Sequence, residues 1–504
     1  MTGTPSGRLG RGSRGAVAAG HPAAAYAALS ALDGGGNAVD ACLAAAAVSW
    51  VTMPDMCGPG GDLFALIREP SGRVRALNGA GQAGAEHPLA ADPAARESLT
   101  LVPGLPPAFD LLSREFGRLQ PADIVAPAIA LAEAGVPIGP RLLRQLHTLP
   151  KGRFRDELSA SWGGAPFERD AIVRWPALAR SLSDWAATGT LDAALQASIP
   201  AWRERGARIS AADIDACECD VEDPLKLDFG AWTVYAQPPL SQSVATLRAL
   251  AIAGLDAVFQ DEGAYREHIF IEAYKKAYMR LKELGNGSDA TAFCQEMLDP
   301  RSCKAAREEI GPRAAAGPPM IRNYGETTQC AAADADGLTV TLIQSLYRPF
   351  GARILAPATG LIGNDRGASF TDGANAPGPG LRPRHTLSNI VASHAEGAVF
   401  AIGTPGAEAQ TQTNLQVLAK ILRDPARPLD AVLAPRWSFL GDDRLAVEAG
   451  LPEAMTRELI KRGHRLALRP ARDWLMGSVS LAGFDGTACT TVADDRREAL
   501  ALAY

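Results

Sequence analysis

The chain has 504 residues, with 50 lysines and arginines against 56 aspartates and glutamates, a formal charge of −6. Hydrophobic residues make up 47% and charged residues 21%, the balance of a folded globular protein with ample material for a core. That mildly acidic balance gives no basic face and argues against nucleic acid as a partner.

The N-terminus carries arginines but no apolar stretch of the secretory type. The longest apolar run, around Ala38–Met53, is interrupted by Asp40, Cys42 and Ser49 and is too short to span a bilayer. A cytoplasmic protein without membrane contact is expected. The eight cysteines are scattered; only Cys217 and Cys219 stand close, and C-E-C lacks zinc-type spacing. Reduced thiols and no metal site are expected.

Residues 19–51 read as two Ala-rich helices. Pro22 suits a first helical turn, Gly34–Gly36 break the pattern, and Asn37 caps the second helix, which is apolar nearly all round and so deeply buried. Gly58, Gly60 and Gly61 form a tight loop before a strand at Leu63–Arg68. Further helices start near 102–112 and 121–138, the latter stopping at Gly135, and the region 140–220 is helical and polar. A strand ends at Pro238-Pro239, a helix restarts at SQSVATLRALAIAGL, and residues 271–285 form an amphipathic helix ending at Gly285. A Gly/Pro/Ala-rich exposed loop follows at 311–326. Residues 327–346 read as a hairpin turning at Asp334–Gly337. Helices come first and strands concentrate in the last third; no internal repeat is evident.

The join at Glu326–Thr327 carries the chemistry, because an exposed loop there runs straight into a buried strand opening Thr-Thr. Most such threonines are simply good strand formers. Cutting the Glu326–Thr327 bond, however, would leave Thr327 with a free α-amine beside its own hydroxyl. That amine, with a reference pKa of about 7.7–8.0, can act as the base a threonine hydroxyl needs to become a nucleophile. With Ala335-Asp336 at the centre of the turn, Thr327 falls opposite Gln344, and Ser345 lies one step away, in reach to orient it.

These residues, TTQCAAADADGLTVTLIQSLYRPFG (327–351), resemble the nucleophile segment of the γ-glutamyltranspeptidases, N-terminal nucleophile hydrolases made as one chain and cut before a threonine. The resemblance continues in order along the chain. It runs through AGHPAAAYAALSALDGGGNAVDA, GPGGDLFALI, the VPG at 102–104, PADIVAPAIALAEAGVPI, QPPLSQSVATLRAL, GLIGNDRGASF, RPRHTLSNIV, GTPGAE and APRW. It implies an α/β (α+β) four-layer αββα sandwich. It also implies autocatalytic cleavage into residues 1–326 and 327–504, the two chains staying together as one fold. By position, Thr327 is the implied nucleophile, Ser345 its assisting hydroxyl, Thr328 the second threonine, and the N–H groups of Gly406 and Ala407 the oxyanion hole. The family usually has glycine where Ala407 stands. No cofactor is implied.

The resemblance fails where the family grips the glutamyl α-carboxylate and α-amine. The gripping arginine falls near Ala80, the asparagine at Tyr347, the acidic residue at Ser369 with Arg366 beside it, and the paired serines at His385-Thr386. An ammonium needs acceptors, and Arg366 is an obligate cation, so an acyl group with an anionic or neutral polar end is expected instead. These variants resemble the acylase and amidohydrolase branch. Each residue also has a plainer reading: Arg366 paired with Asp365 or Asp372 on the surface, His385 as a structural hydrogen-bonder, Tyr347 as a pocket wall, Cys330 as packing, His21 as a cap. Arg348 is an outside candidate for an anionic substrate end. The expected activity is hydrolysis of a small amide or acyl substrate. The alternatives are C–C bond hydrolysis in an alkyl-proline-type pathway, true γ-glutamyl transfer, and a non-catalytic uncleaved homologue.

Overall fold

The computed structural model describes residues 8–88, 95–259, 263–320 and 326–504. Two seven-stranded antiparallel sheets lie face to face. Across its width the first runs Leu500–Ala503, Gly15–Ala19, Glu326–Asp334, Thr339–Tyr347, Asp62–Arg68, Val74–Gly79 and Asp220–Glu222. The second runs Leu9–Gly12, Cys489–Ala493, Ser480–Phe484, Val399–Gly403, Asn389–His394, Trp232–Ala236 and Leu225–Phe229. Helices Pro22–Asp33, Ala38–Thr52 and Leu105–Phe116 cover the outer face of the first sheet, with Pro121–Ala134 behind them; Val244–Phe259 and Gln410–Arg423 cover that of the second. This is the expected αββα sandwich. Strands do concentrate toward the C-terminus: among the described residues twelve of the 21 lie in 326–504, although seven of the fourteen sandwich strands precede Glu326.

Local signals account for the helical layer. His21 Nδ1 accepts from the Ala23 N–H at 3.2 Å and so caps the helix that Pro22 opens. Asn37 and Asp40 form a reciprocal capping box, which satisfies two N–H groups that the first turn leaves without partners. Every residue of Ala38–Thr52 is buried. A helix apolar on all sides needs cover on all sides, here from the first sheet below and the helices Leu105–Phe116 and Pro121–Ala134 above. The helix expected at 271–285 instead spans Ala264–Leu281.

Strand alternation then sets what faces the gap between the sheets. In Glu326–Asp334, Cys330 and Ala332 pack toward the helices while Ala331 and Ala333 pack against Ala482 and Cys489 of the second sheet. Thr327 has the parity of the inward set, as does Gln329, whose Nε2 donates to the Ser480 carbonyl at 3.1 Å. In Thr339–Tyr347, Ser345 shares the parity of the inward Ile343. No helix among the described residues is long and apolar enough to cross a membrane.

The hairpin register differs by one residue from expectation. Thr328, not Thr327, pairs with Gln344, and the ladder shifts so that Ser345-Leu346 oppose Thr327 before Glu326 pairs with Tyr347. Gln344 faces the helices, accepting from Trp50 Nε1 at 2.7 Å. The irregularity is a β-bulge, which bends the strand locally and re-aims side chains. Here it sets Ser345 beside Thr327.

Candidate active site

Glu326 and Thr327 are 6% and 2% exposed, so the bond between them is buried, although the described part of the preceding segment is half-exposed. Ser345 Oγ donates to the Glu326 carbonyl oxygen at 2.7 Å and accepts from the Tyr347 N–H at 2.8 Å. Thr327 Oγ1 donates to the same Ser345 oxygen at 3.4 Å. A hydroxyl has one donor and two lone pairs, so Ser345 is fully used, linking the Thr327 hydroxyl to the carbonyl of the bond before it. Gly60 and Gly61 make this possible. A Cβ at Gly61 would lie 2.4 Å from the Ser345 carbonyl oxygen, and one at Gly60 2.0 Å from that of Ile362.

Thr327 lines a narrow crevice with Gly20, Met53, Pro405, Ser478 and Arg497. Thr328 borders the same crevice, its hydroxyl 3.6 Å from Met53 Sδ. Pro405 leads into Gly406 and Ala407, which open the short 3-10 turn Ala407–Ala409 at the end of Val399–Gly403. First-turn N–H groups have no acceptor one turn back and are free to bind an oxyanion. Gly406 has φ 137° and Ala407 φ 49°. The second is left-handed, which explains why a glycine suits position 407 and makes the alanine strained. Gln242, which the sequence reading missed, fixes this turn: its Nε2 donates to the carbonyls of Ala407 (2.9 Å) and Thr386 (2.7 Å).

Tyr347, Ser369, His385 and Thr386 do come together, around one cavity of about 460 Å³ that Gln242 also borders. Among the described residues its charged lining is Lys282, Arg384 and Glu408, two cations against one carboxylate. Arg366 does not line it. Contrary to the surface pairing with Asp365 or Asp372, Arg366 is fully buried, its Nε donating to Asp62 Oδ2 at 2.8 Å. Its guanidinium stacks 4.5 Å from the Tyr347 ring centre and reaches Ser369 Oγ at 3.4 Å. His385 Nε2 lies 3.1 Å from the same Asp62 oxygen, while its Nδ1 accepts from the Leu387 N–H at 3.2 Å, so the ring is a neutral Nε2–H tautomer. The Gly81 N–H completes the carboxylate at 2.7 Å. Burial pushes the Asp62 carboxyl up, but Arg366 and then His385 overcome it and hold it at about 2. Burial, aided by Arg366, lowers His385 to about 4 against the pull of Asp62. Arg366 is thus a neutralised support beneath Tyr347, not a cation presented to substrate. Asp62 was missed; its only sequence signal is an aspartate opening an apolar strand.

The remaining candidates have structural partners. Arg348 is tied to Asp365, which Arg96 also meets at 3.0 Å. Cys330 packs under the helix Ala38–Thr52, its Sγ 3.6 Å from the Cys42 carbonyl oxygen. Residues 311–315, upstream of Glu326, are anchored by a buried cluster on Ala264–Leu281. His268 Nε2 meets the Gly311 carbonyl at 2.9 Å, Lys275 Nζ donates to the Ala315 carbonyl at 2.8 Å, and Glu272 accepts from the Ala315 N–H at 3.2 Å.

Two facing sheets between helical layers, with a threonine near the head of a central strand, have the architecture of the N-terminal nucleophile hydrolases. Within that class the chain belongs to the gamma-glutamyltranspeptidase family, which it matches over residues 24–504. It is 30% identical to the glutathione hydrolase-like YwrD proenzyme of Bacillus subtilis, over 90% of this chain and 91% of that one. It is 29% identical to the oxamate amidohydrolase proenzyme of Klebsiella pneumoniae, over 89% and 90%. The crystal structure of cephalosporin acylase from Bacillus halodurans superposes with a TM-score of 0.90 at 26% identity, covering 100% of this chain and 98% of that one.

Proposed function

We propose that the protein is an autoprocessing amide hydrolase acting through an acyl-Thr327 intermediate. The observation that carries this reading is the Ser345 hydroxyl, held between Thr327 Oγ1 and the Glu326 carbonyl oxygen. In the uncut chain, Thr327 Oγ adds to the Glu326 carbonyl carbon. Its proton passes to Ser345 Oγ while Ser345 gives its own to the developing oxyanion. Collapse with protonation of the Thr327 nitrogen breaks the C–N bond and leaves Glu326 esterified to Thr327 Oγ. Water cleaves the ester, giving a Glu326 carboxylate and a free Thr327 α-amine. The products are chains 1–326 and 327–504, which remain one fold because both sheets contain hydrogen-bonded strands of both.

In turnover the α-amine takes the Thr327 proton as Oγ attacks a substrate amide. The N–H groups of Gly406 and Ala407 receive the oxyanion, the amine product leaves with the proton, and water releases the acyl group. Of the positions where the family grips the glutamyl α-amine (Tyr347, Ser369) and α-carboxylate (His385-Thr386), all four border the cavity, and none bears a carboxylate. With two cations to one carboxylate in its described lining, the cavity disfavours a glutamyl ammonium, which leaves a small non-glutamyl acyl group with a neutral or anionic end as the substrate. The names of the amidohydrolase and acylase relatives support amides as the bond cleaved. A panel of γ-glutamyl, glutaryl and oxalyl amides tests this. Turnover of a non-glutamyl amide by the wild type and none by Thr327→Ala is expected. Preferred γ-glutamyl-anilide turnover would overturn the substrate reading, and equal turnover by Thr327→Ala would overturn the mechanism.

A further inference from the structure

Beside Glu326 lies a second cavity of about 300 Å³, rich in arginine. Its charges divide into committed and uncommitted ones. Arg496 is buried and bonded to Glu448 and Asp494. Arg141 is bonded to Asp55 at 2.5 Å and faces Glu498 at 3.7 Å. Arg497 and Arg144 remain. Among the described residues the only carboxylate within 4 Å of Arg497 is that of Glu326, at 3.5 Å, and Arg144 has none. Arg497 Nε is buried without a hydrogen-bond partner. Both guanidiniums lie 5.6 Å from the Trp474 ring centre. Gln145 Nε2 donates to the other Glu326 carboxylate oxygen at 3.2 Å.

Glu326 is also the first acyl group that Thr327 would carry. Counted from the carbonyl carbon under attack, its side-chain carboxyl carbon is the fifth of an unbranched chain. The same ester oxygen would later carry a substrate acyl group, and Arg497 borders both this cavity and the Thr327 crevice. Once Glu326 leaves, Gln145 loses this acceptor and Arg497 keeps only the Trp474 carbonyl oxygen, at 3.3 Å, so its largely buried charge is left without a counter-ion, which is costly.

We infer that Arg144, Gln145 and Arg497 form a carboxylate subsite, filled by Glu326 before cleavage and afterwards by the terminal carboxylate of a short acyl chain. This rests on the reading of Thr327 as nucleophile. It adds a specificity site separate from the Tyr347–His385 cavity, where the family grips its glutamyl group.

The site can be emptied without any cleavage, which separates its failure from that of the Thr327 reading. Glutaramate, an amide at one end and a carboxylate at the other, is titrated calorimetrically into the uncut Thr327→Ala chain and into Thr327→Ala/Glu326→Ala. Binding to the double variant and not to the single one is expected. Adding Arg497→Ala should weaken it by about tenfold or more, since a hydrogen bond to a charged group is lost. Arg144→Ala, on the exposed side of its helix, serves as the second variant should Arg497→Ala not fold. Pentanamide should not bind, and inorganic phosphate should not compete. No glutaramate binding by the double variant, equal binding of pentanamide, or displacement by phosphate would each overturn the carboxylate subsite. In the wild type, the preference for glutaryl over pentanoyl anilide should fall about tenfold on Arg144→Ala; an unchanged preference would count equally against it. An uncut wild type would refute the Thr327 reading alone.

Discussion

Ser345→Ala should slow self-cleavage far more than it unfolds the protein. The Ser345 hydroxyl is the donor to the Glu326 carbonyl oxygen at 2.7 Å, in a site where that carbonyl is sealed from water. In the proposed self-cleavage this oxygen becomes the oxyanion as Thr327 attacks. Loss of one preorganised oxyanion donor typically costs about 2.7–4 kcal/mol of transition-state stabilisation, about 10²–10³ in rate. The ground state loses less. The Tyr347 N–H loses its acceptor, costing about 1–3 kcal/mol of stability. Precursor made by cell-free synthesis and sampled on denaturing gels gives the first-order cleavage rate, and thermal melting of the same sample shows whether it is folded. The expected result is a folded, slowly cutting chain, with Ser345→Thr restoring much of the rate because it restores a hydroxyl. A folded Ser345→Ala chain that cuts at the wild-type rate would refute the role given to this residue.

Three further outcomes follow from the same geometry. Asp62→Asn should cost about 3–5 kcal/mol in urea unfolding, because it strands the fully buried Arg366 without its counter-ion; a change within about 0.5 kcal/mol would contradict the pairing. Acid should destabilise the protein from about pH 6.5 downward. His385 has a folded value of about 4 against about 6.5 unfolded, so the unfolded chain takes the proton first and stability is lost as pH falls through that window. This one residue contributes about 3 kcal/mol by pH 4, and His21 and His87, lowered to about 4 chiefly by burial, act with the same sign. A urea midpoint flat between pH 7 and about 4.5 would refute it. Asp62 adds to the loss only below about pH 4, as its carboxyl titrates toward 2. Ala407→Gly should keep activity and change stability by less than about 1 kcal/mol, relief of the left-handed alanine offsetting the entropy glycine adds to the unfolded chain. A large loss of activity would show that the Ala407 methyl, not only its N–H, serves the site.

Much of the helical layer is legible in sequence because its signals are local. Pro22, Gly34–Gly36, Asn37 and Gly135 each act within a turn of where they stand. The hairpin is legible for the same reason, through alternation and the Asp334–Gly337 turn. Its register is not, because the bulge that places Ser345 beside Thr327 comes from packing against neighbouring strands and the Gly60-Gly61 loop. The Arg366 partner was equally hidden: Asp62 stands 304 positions away and meets it only when the central strand of the first sheet ends beside Ser345. Seen along the chain, Arg366 has only aspartates at 365 and 372 near it, and proximity in sequence points to the wrong ones. The Arg144–Gln145–Arg497 cavity is built from the helix Pro140–Thr148 and a loop near the C-terminus, with no motif to announce it.

The central claim is that the chain cuts itself before Thr327, and intact-mass analysis of the purified protein tests it most directly. The account predicts two chains of 326 and 178 residues, the second beginning at Thr327, in the wild type, and one chain of 504 in Thr327→Ala. A wild-type protein that stays whole, or a Thr327→Ala variant that is cut at the same bond, would contradict it.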